Sequence, residues 1–505
     1  MTAMTKLKMV GAVSLRAEVA ARRWPDRAGM IRASIWPAVC LVALAGTFLA
    51  LVGTGAALAY DGSYHFRAFI EHGASLAGTL SSSGGSSPIE SAVRLLDFRS
   101  WPVPQQRLSD IPVIAATMVV SQATGSIEVT AAVYNALWVL PPFLALAISW
   151  FFSRPRPVMF VWGALGIGLA TVPGDFFFLS EQLAVVNLSW PLLLGTLCLQ
   201  KRWRLIGTLT LAGVMFYLHP SSAALFVVCA MAAMGLALFG REDLWSLLVL
   251  AALLLVLAYL RLTIPLMPYE SETLNVATLR NAFKVAVEGP PLFAIGCGLV
   301  IAVALTLEGL PSTAARQGVR LVCRIAVLVA IGGAAVALSQ WALTPKLWRY
   351  ALEYRSWVLI INTPFAGLAI VDRLWGLGST EPGAPAPSKR RRHVYALLLV
   401  FSLVLTLQSI SWHKVSANLA QAVQTSEKVC LTRADIPWLG ETPFYHWSTP
   451  TYVVLLQGRA PLKLLLEAGD CTDASFGTRV RLNPWSYSDR AGGWFDLTRA
   501  GLPSR

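Results

Sequence analysis

Long apolar runs separated by short polar turns set the pattern of this chain. The first covers residues 35–60. Its length suits a full crossing of about 20 residues better than the apolar region of a signal peptide, about 7–15 residues. Ala57-Leu58-Ala59 also fits a signal-peptidase site, so a cleaved leader stays open as an alternative reading. Further apolar stretches follow at 127–152, 157–173, 183–199, 205–219, 221–239, 245–262, 292–308, 321–340, 356–376 and 394–410. Together they predict an all-α polytopic membrane protein with about eleven transmembrane helices, several short enough to need tilt or partial burial.

Charge placement supplies an orientation. Basic residues cluster before the first run (Lys6, Lys8, Arg16, Arg22, Arg23, Arg27, Arg32) and then in alternate connections. These hold Arg154 and Arg156; Lys201, Arg202 and Arg204; Arg241; Arg316 and Arg320; and Lys389-Arg390-Arg391-Arg392. Short basic loops mark the cytoplasmic side, so the N-terminus is expected inside and the C-terminus outside. The intervening connections hold Asp61, Glu71, Asp97, Asp110, Asp175, Glu181, Glu270, Glu272 and Glu288. Acids do not set topology, but their gathering on one side points to chemistry there.

Composition agrees. Hydrophobic residues make up 55% of the 505 and charged residues 13%, about half the charge a soluble surface carries. The net charge of +14 sits in the inter-helix clusters rather than on one extended surface, which argues against nucleic acid as a partner and for the lipid bilayer.

The expected layout is a basic cytoplasmic segment at 1–34, a transmembrane domain at 35–410 and an extracytoplasmic domain at 411–505. The outer loop 61–110 contains two amphipathic stretches, 65–76 and 89–98, joined by Ser81-Ser82-Ser83-Gly84-Gly85-Ser86-Ser87. In the first, Phe66, Phe69 and Ile70 share a helical face, so both stretches are expected to lie in the interface. The cytoplasmic linker 377–393 contains the Pro/Gly-rich GSTEPGAPAPS, a flexible composition. Five cysteines (Cys40, Cys198, Cys229, Cys297, Cys323) fall in or beside apolar runs, whereas Cys430 and Cys471 fall in the tail. An oxidising compartment would pair those two as a disulfide; unpaired thiols remain the alternative.

The chain resembles the GT-C superfamily of membrane glycosyltransferases. The likeness lies in the layout: a cytoplasmic N-terminus, an acid (Asp61) just beyond helix one, and two interfacial helices in a long first outer loop. A second acidic outer loop and a C-terminal outer domain complete it. It implies transfer of a sugar from a polyprenyl-phosphate carrier to an envelope glycan or glycolipid, at the periplasmic face of a bacterial cytoplasmic membrane. By that analogy Asp61 is the general base, since an acceptor hydroxyl loses its proton as it attacks. The leaving phosphate needs positive charge, for which Arg67, Arg349 and Arg355 are candidates; interfacial snorkelling is the other account of these arginines. His219, beside Pro220, is a candidate substrate contact. Asp175 and Glu181 form a second acidic site able to help bind a divalent metal. Asp61 is followed by Gly62 with no adjacent acid, which departs from the acid-x-acid motif of many members and leaves a metal requirement open. A transporter or flippase, and a polysaccharide polymerase or ligase, are the rival functions.

Overall fold

The computed structural model describes residues 27–55, 58, 111–172, 181–239, 243–264, 290–308, 316–344, 349–375, 388–442, 449–457 and 463–466. The expected interfacial stretches 65–76 and 89–98 lie outside this set, as does most of the 377–393 linker. The helices of the apolar part are α1 (Arg27–Gly53), α2 (Ile111–Thr124), α3 (Ile127–Phe152), α4 (Phe160–Thr171), α5 (Glu181–Cys198) and α6 (Lys201–Phe216). They continue with α7 (Ser222–Phe239), α8 (Leu244–Thr263), α9 (Pro290–Glu308), α10 (Arg316–Ala342), α11 (Arg349–Trp375) and α12 (Ser388–Thr425). Six of them are long and apolar enough to cross a membrane among the described residues: α1, α3, α7, α8, α10 and α12. The protein is therefore an all-α polytopic membrane protein in its main body. Segments of α2, α4, α5 and α9 are apolar but shorter.

Two of the shorter helices form the centre. Every residue of α4 except Gly168 is buried, and so is every residue of α5 from position 183 to 198. A helix apolar on all sides belongs in an interior. Around this pair, α3, α11 and α12 pack against α4, and α3, α6, α7 and α11 against α5.

Inside an apolar body each polar side chain must find a protein partner, because lipid offers none. The central helices are tied outward in that way. The Trp162 indole donates to Asp372 Oδ2 at 2.8 Å and the Trp190 indole to Asn362 Oδ1 at 3.0 Å, so α4 and α5 are each bonded to α11. Arg373 Nε donates to the Leu197 carbonyl at 3.0 Å, and Gln408 Nε2 to the Val172 carbonyl at 3.0 Å. Thr171 donates to Asn187 Oδ1 at 3.1 Å.

These pairs also fix directions. Trp190 with Asn362 and Leu197 with Arg373 show that α5 and α11 run parallel. Cys40 with Tyr395, and Thr47 with Ser402 and Thr406, make α1 and α12 parallel neighbours. One end of the bundle thus gathers the starts of α1, α4, α6 and α12 and the ends of α3, α5 and α11, which is the end carrying the basic turns.

Glycine sets the closest approach. A Cβ built on Gly166 would lie 1.8 Å from the Trp190 ring, and one on Gly163 would lie 2.9 Å from Leu194. The α4–α5 contact therefore exists because α4 presents bare backbone there.

The last span differs from its expected end. The apolar run suggested a stop near 410, yet α12 continues to Thr425, 38 residues in all, or roughly 57 Å at the helical rise. That exceeds a hydrocarbon core of about 30 Å. Beyond 410 the pattern becomes amphipathic: Trp412, Val415, Leu419 and Val423 are buried, while His413, Lys414, Asn418 and Gln421 are exposed. On the buried stripe rests α13 (Thr449–Gln457), within a unit whose strands β1 (Cys430–Thr432) and β2 (Leu464–Leu466) pair in parallel. The helical extension thus becomes the floor of the tail.

Replacing Gly166 by Ala should lower the thermal midpoint of the detergent-solubilised protein, with an overpacking cost of about 1–3 kcal/mol. Gly213, with open space around its Cβ position, should accept Ala without loss. Equal midpoints for the two variants would mean that the α4–α5 contact is not set by Gly166.

Candidate functional site

The end of the bundle opposite the basic turns collects the described candidates. Glu181 opens α5, Arg349 opens α11, and Arg355 lies in the second turn of α11. His219 sits in the turn between α6 and α7. Asp61, Arg67, Asp175 and Cys471 lie outside the described residues.

The route toward the first outer loop begins from a fixed point. Asn135 of α3 is fully buried, and its Nδ2 donates to the carbonyls of Leu51 at 2.9 Å and Val52 at 2.7 Å. Both carbonyls belong to the last turn of α1, where no intrahelical partner follows. The Thr54 hydroxyl adds a 2.6 Å bond to the Leu51 carbonyl. Gly55 then takes φ +62°, the left-handed conformation that commonly ends a helix. Leu58 is buried and donates its N–H to the Gly55 carbonyl at 2.9 Å.

His219 is held by its own turn. The Ser221 N–H donates to Nδ1 at 3.2 Å, and the Ser221 hydroxyl lies 2.9 Å from the same nitrogen. An accepting Nδ1 places the proton of the neutral ring on Nε2. Ordering the α6–α7 turn is thus a role this histidine performs through Nδ1.

A feature that no motif announced lies at membrane depth. An apolar crevice of about 60 Å³ runs along α4 from Ala164 to Val172, between α9, α10 and α12. Gly168, Leu169, Gly298, Ile301, Ala334, Leu338, Leu397 and Phe401 help line it. Gly168, with nothing within 4 Å of its Cβ position, leaves much of the opening. The lining holds no charged or hydrogen-bonding side chain, so the crevice fits a short stretch of hydrocarbon. Its Val172 and Leu338 end reaches toward the side where α5 and α11 begin.

Buried charges are present at both ends of the bundle: Asp372, Arg373 and Arg204 at the basic end, and Arg261, in the last turn of α8, at the other. Asp372 accepts from Trp162. Arg373 and Arg204, each 2% exposed, bond to the Leu197 and Leu199 carbonyls. Two guanidinium groups at the C-terminus of α5 complement its open carbonyls and its dipole, which accounts for them structurally. Among the described residues no group of three or more His, Cys, Asp or Glu side chains is placed to hold a metal.

In the tail, Cys430 is disulfide-bonded, while the five cysteines of the apolar part are buried thiols. Asp435 accepts from Lys428 Nζ at 2.6 Å, from the Thr432 N–H at 2.7 Å and from the Thr432 hydroxyl at 2.9 Å. With the Lys428 hydrogen bond as the largest cause, its carboxyl is held down at about 2, below the ordinary 3.8. The hydroxyls of Tyr452 and Ser416 are hydrogen-bonded at 3.0 Å, and burial pushes the Tyr452 phenol up to about 12. Lys463 Nζ donates to the carbonyls of Gln424 and Ser426 at the end of α12. A cation there also meets the negative end of the helix dipole. The tail is therefore fastened to α12 by a buried aromatic contact and by a terminal lysine.

Asn135→Ala should remove the donor of the Val52 carbonyl, at a desolvation cost of about 1–3 kcal/mol, while the Leu51 carbonyl keeps its bonds from Thr54. Hydrogen exchange in peptides covering 48–58 should rise while α7 stays protected; unchanged exchange would remove the clamp. For Asp435, a depressed folded pKa means that its stabilisation is present above 3.8 and is lost as pH falls toward 2. Asp435→Asn should speed phosphine reduction of the Cys430 disulfide relative to wild type at pH 5, with the ratio approaching one near pH 2. A ratio of one at both pH values would assign Asp435 no part in holding β1. Comparison with protein-family models, with curated proteins and with solved structures returns no match for this chain.

Proposed function

We propose that the chain is a membrane glycosyltransferase that moves a sugar from a lipid-phosphate carrier to an envelope acceptor at the outer face of the cytoplasmic membrane. The observation that carries this reading is the apolar crevice along α4. It offers an apolar seat for a short part of the carrier's hydrocarbon chain, leading toward the end where α5 and α11 begin. In this reading α1 and α3–α12 make the eleven spans, with the shorter central helices shielded from lipid by their neighbours.

The chemistry needs three things. The acceptor hydroxyl attacks the anomeric carbon and gives up its proton, a task assigned to Asp61. As the new C–O bond forms, the bond between the anomeric carbon and the carrier phosphate oxygen breaks. The electron pair leaves with the phosphate, whose charge Arg67, Arg349 and Arg355 are proposed to neutralise. Glu181 and Asp175 provide further acids for a metal or a sugar hydroxyl, and His219 a contact through Nε2. The buried charges of the bundle favour this reading over transport. Midplane ionisable groups are the usual mark of a translocation path, whereas Asp372, Arg373 and Arg204 sit at one end and Arg261 at the other.

The test is mass spectrometry of envelope glycans and glycolipids from a deletion strain complemented with wild type or Asp61→Asn. A single-sugar increment restored only by wild type is expected; no glycan change on deletion would end the transferase reading. In reconstituted protein, Gly168→Leu should raise the KM for a long-chain carrier and leave a short-chain soluble donor unaffected. An equal effect on both donors would separate the crevice from the carrier chain.

A further inference from the structure

The basic end of the bundle carries an aromatic pattern that topology alone does not require. Trp36, Trp150, Trp203 and Trp245 are 52–76% exposed, and among the described side chains no other tryptophan is as open. Trp36 begins the apolar segment of α1, Trp150 ends α3, Trp203 opens α6 and Trp245 opens α8. All four fall at the same end, the level at which indoles settle between headgroups and hydrocarbon.

Cations are paired with these rings. The Arg154 guanidinium lies 4.4 Å from the Trp150 ring centre and 4.9 Å from that of Phe151; Arg202 lies 5.5 Å from that of Trp203. Stacking of this kind holds a guanidinium plane at the interface while its edge remains available to an anion. The two pairs belong to neighbouring turns. Phe152 inserts where the α5 and α6 backbones are bare, with its ring 3.0 Å from a Cβ built on Gly195 and 3.1 Å from one built on Gly207. That wedge sets the α3–α4 turn beside the α5–α6 turn.

The α5–α6 turn itself is tight. Lys201 adopts φ +44°, a left-handed backbone seldom kept by a non-glycine residue, and the buried Arg204 holds the turn through the Leu199 carbonyl. As a result Lys201, Arg202 and Trp203 are successively exposed. Neither turn contains an acid: 153–159 reads SRPRPVM and 199–204 reads LQKRWR. At this end the described carboxylates with placed side chains are Asp243, at the start of α8, and Asp372, which is buried and bonded to Trp162.

We propose that the paired α3–α4 and α5–α6 turns form a binding surface for the phosphate headgroups of anionic phospholipid. The occupant follows from charge and level together. Cations without a matching acid among the described side chains, seated on interfacial indoles, meet the phosphodiester of a lipid whose chains run down the adjoining apolar helices. Arg154 and Arg202 supply the forks, Lys201 a point charge, and Trp150 and Trp203 flank the headgroup. The surface does not depend on what reaction the opposite end performs.

The test uses the full chain in an uncharged detergent, titrated with phosphatidylglycerol or phosphatidylcholine and followed by thermal stability and by retained lipid in native mass spectrometry. Phosphatidylglycerol should raise the midpoint and be retained selectively, with the effect shrinking at high salt. Arg154→Gln with Arg202→Gln should weaken phosphatidylglycerol about 30-fold, taking two cations near a charged headgroup. The Arg→Lys pair, which keeps the charge, should retain most of the affinity. Three outcomes would overturn the proposal: equal retention of the two lipids, an unchanged affinity in the double Gln variant, or a full effect from inorganic phosphate alone.

Discussion

The whole bundle depends on one requirement: inside hydrocarbon, backbone and side-chain polar groups must be satisfied by the protein itself. In this chain the requirement falls on α4 and α5, which are wrapped on almost all sides. Their indoles at Trp162 and Trp190 reach Asp372 and Asn362 of α11. The Trp190 bond depends on Gly166, which lets the ring lie against the α4 backbone. Close approach and hydrogen bonding are therefore one constraint, since a side chain at Gly166 would displace the ring whose nitrogen bonds to Asn362. Small residues at helix contacts serve this purpose in membranes, where no hydrophobic gradient draws helices together.

The same reasoning separates two kinds of buried polar group. Arg373, Arg204 and Asn135 each donate to carbonyls at a helix end, where four carbonyls lack intrahelical partners. They close helices that stop inside the protein rather than in water. The crevice is the opposite case, a space lined without such groups, so a hydrocarbon chain could enter it without leaving a donor or acceptor unmatched.

Much of the architecture was legible in the sequence. The apolar runs at 127–152 and 221–239 lie within a residue of α3 and α7, because about 20 apolar residues in succession leave few alternatives to a helix in lipid. The extension of α12 was less legible. Its apolar content falls after 410, and only the 3.6-residue spacing of Trp412, Val415, Leu419 and Val423 shows that the helix continues as a support for α13. None of the apolar runs read from the sequence covers the 14 residues of α2. At the candidate site, residue types could be read but neighbourhoods could not. Asn135 bonds to carbonyls more than 80 positions away, and the crevice is made by four helices drawn from residues 164 to 401. A single sequence carries no mark of such meetings.

The two ends of the bundle are consequently unequal. At the basic end, Phe152 wedges into the α5–α6 crease, Arg204 and Arg373 close α5, and Asp372 is occupied by Trp162. Four indoles, two of them stacked with arginines, fix the level of this end against the lipid. The crevice instead extends along α4 to Val172, and α12 rises beyond it to carry the tail, fastened by Tyr452 and Lys463. A helix anchored at one end and loaded at the other transmits the position of the membrane to the tail with little freedom, since α12 is unbroken from Ser388 to Thr425. The tail is thereby held on the side of the bundle to which the crevice leads. This shared geometry is a reason to place the proposed transfer step there rather than at the closed basic end.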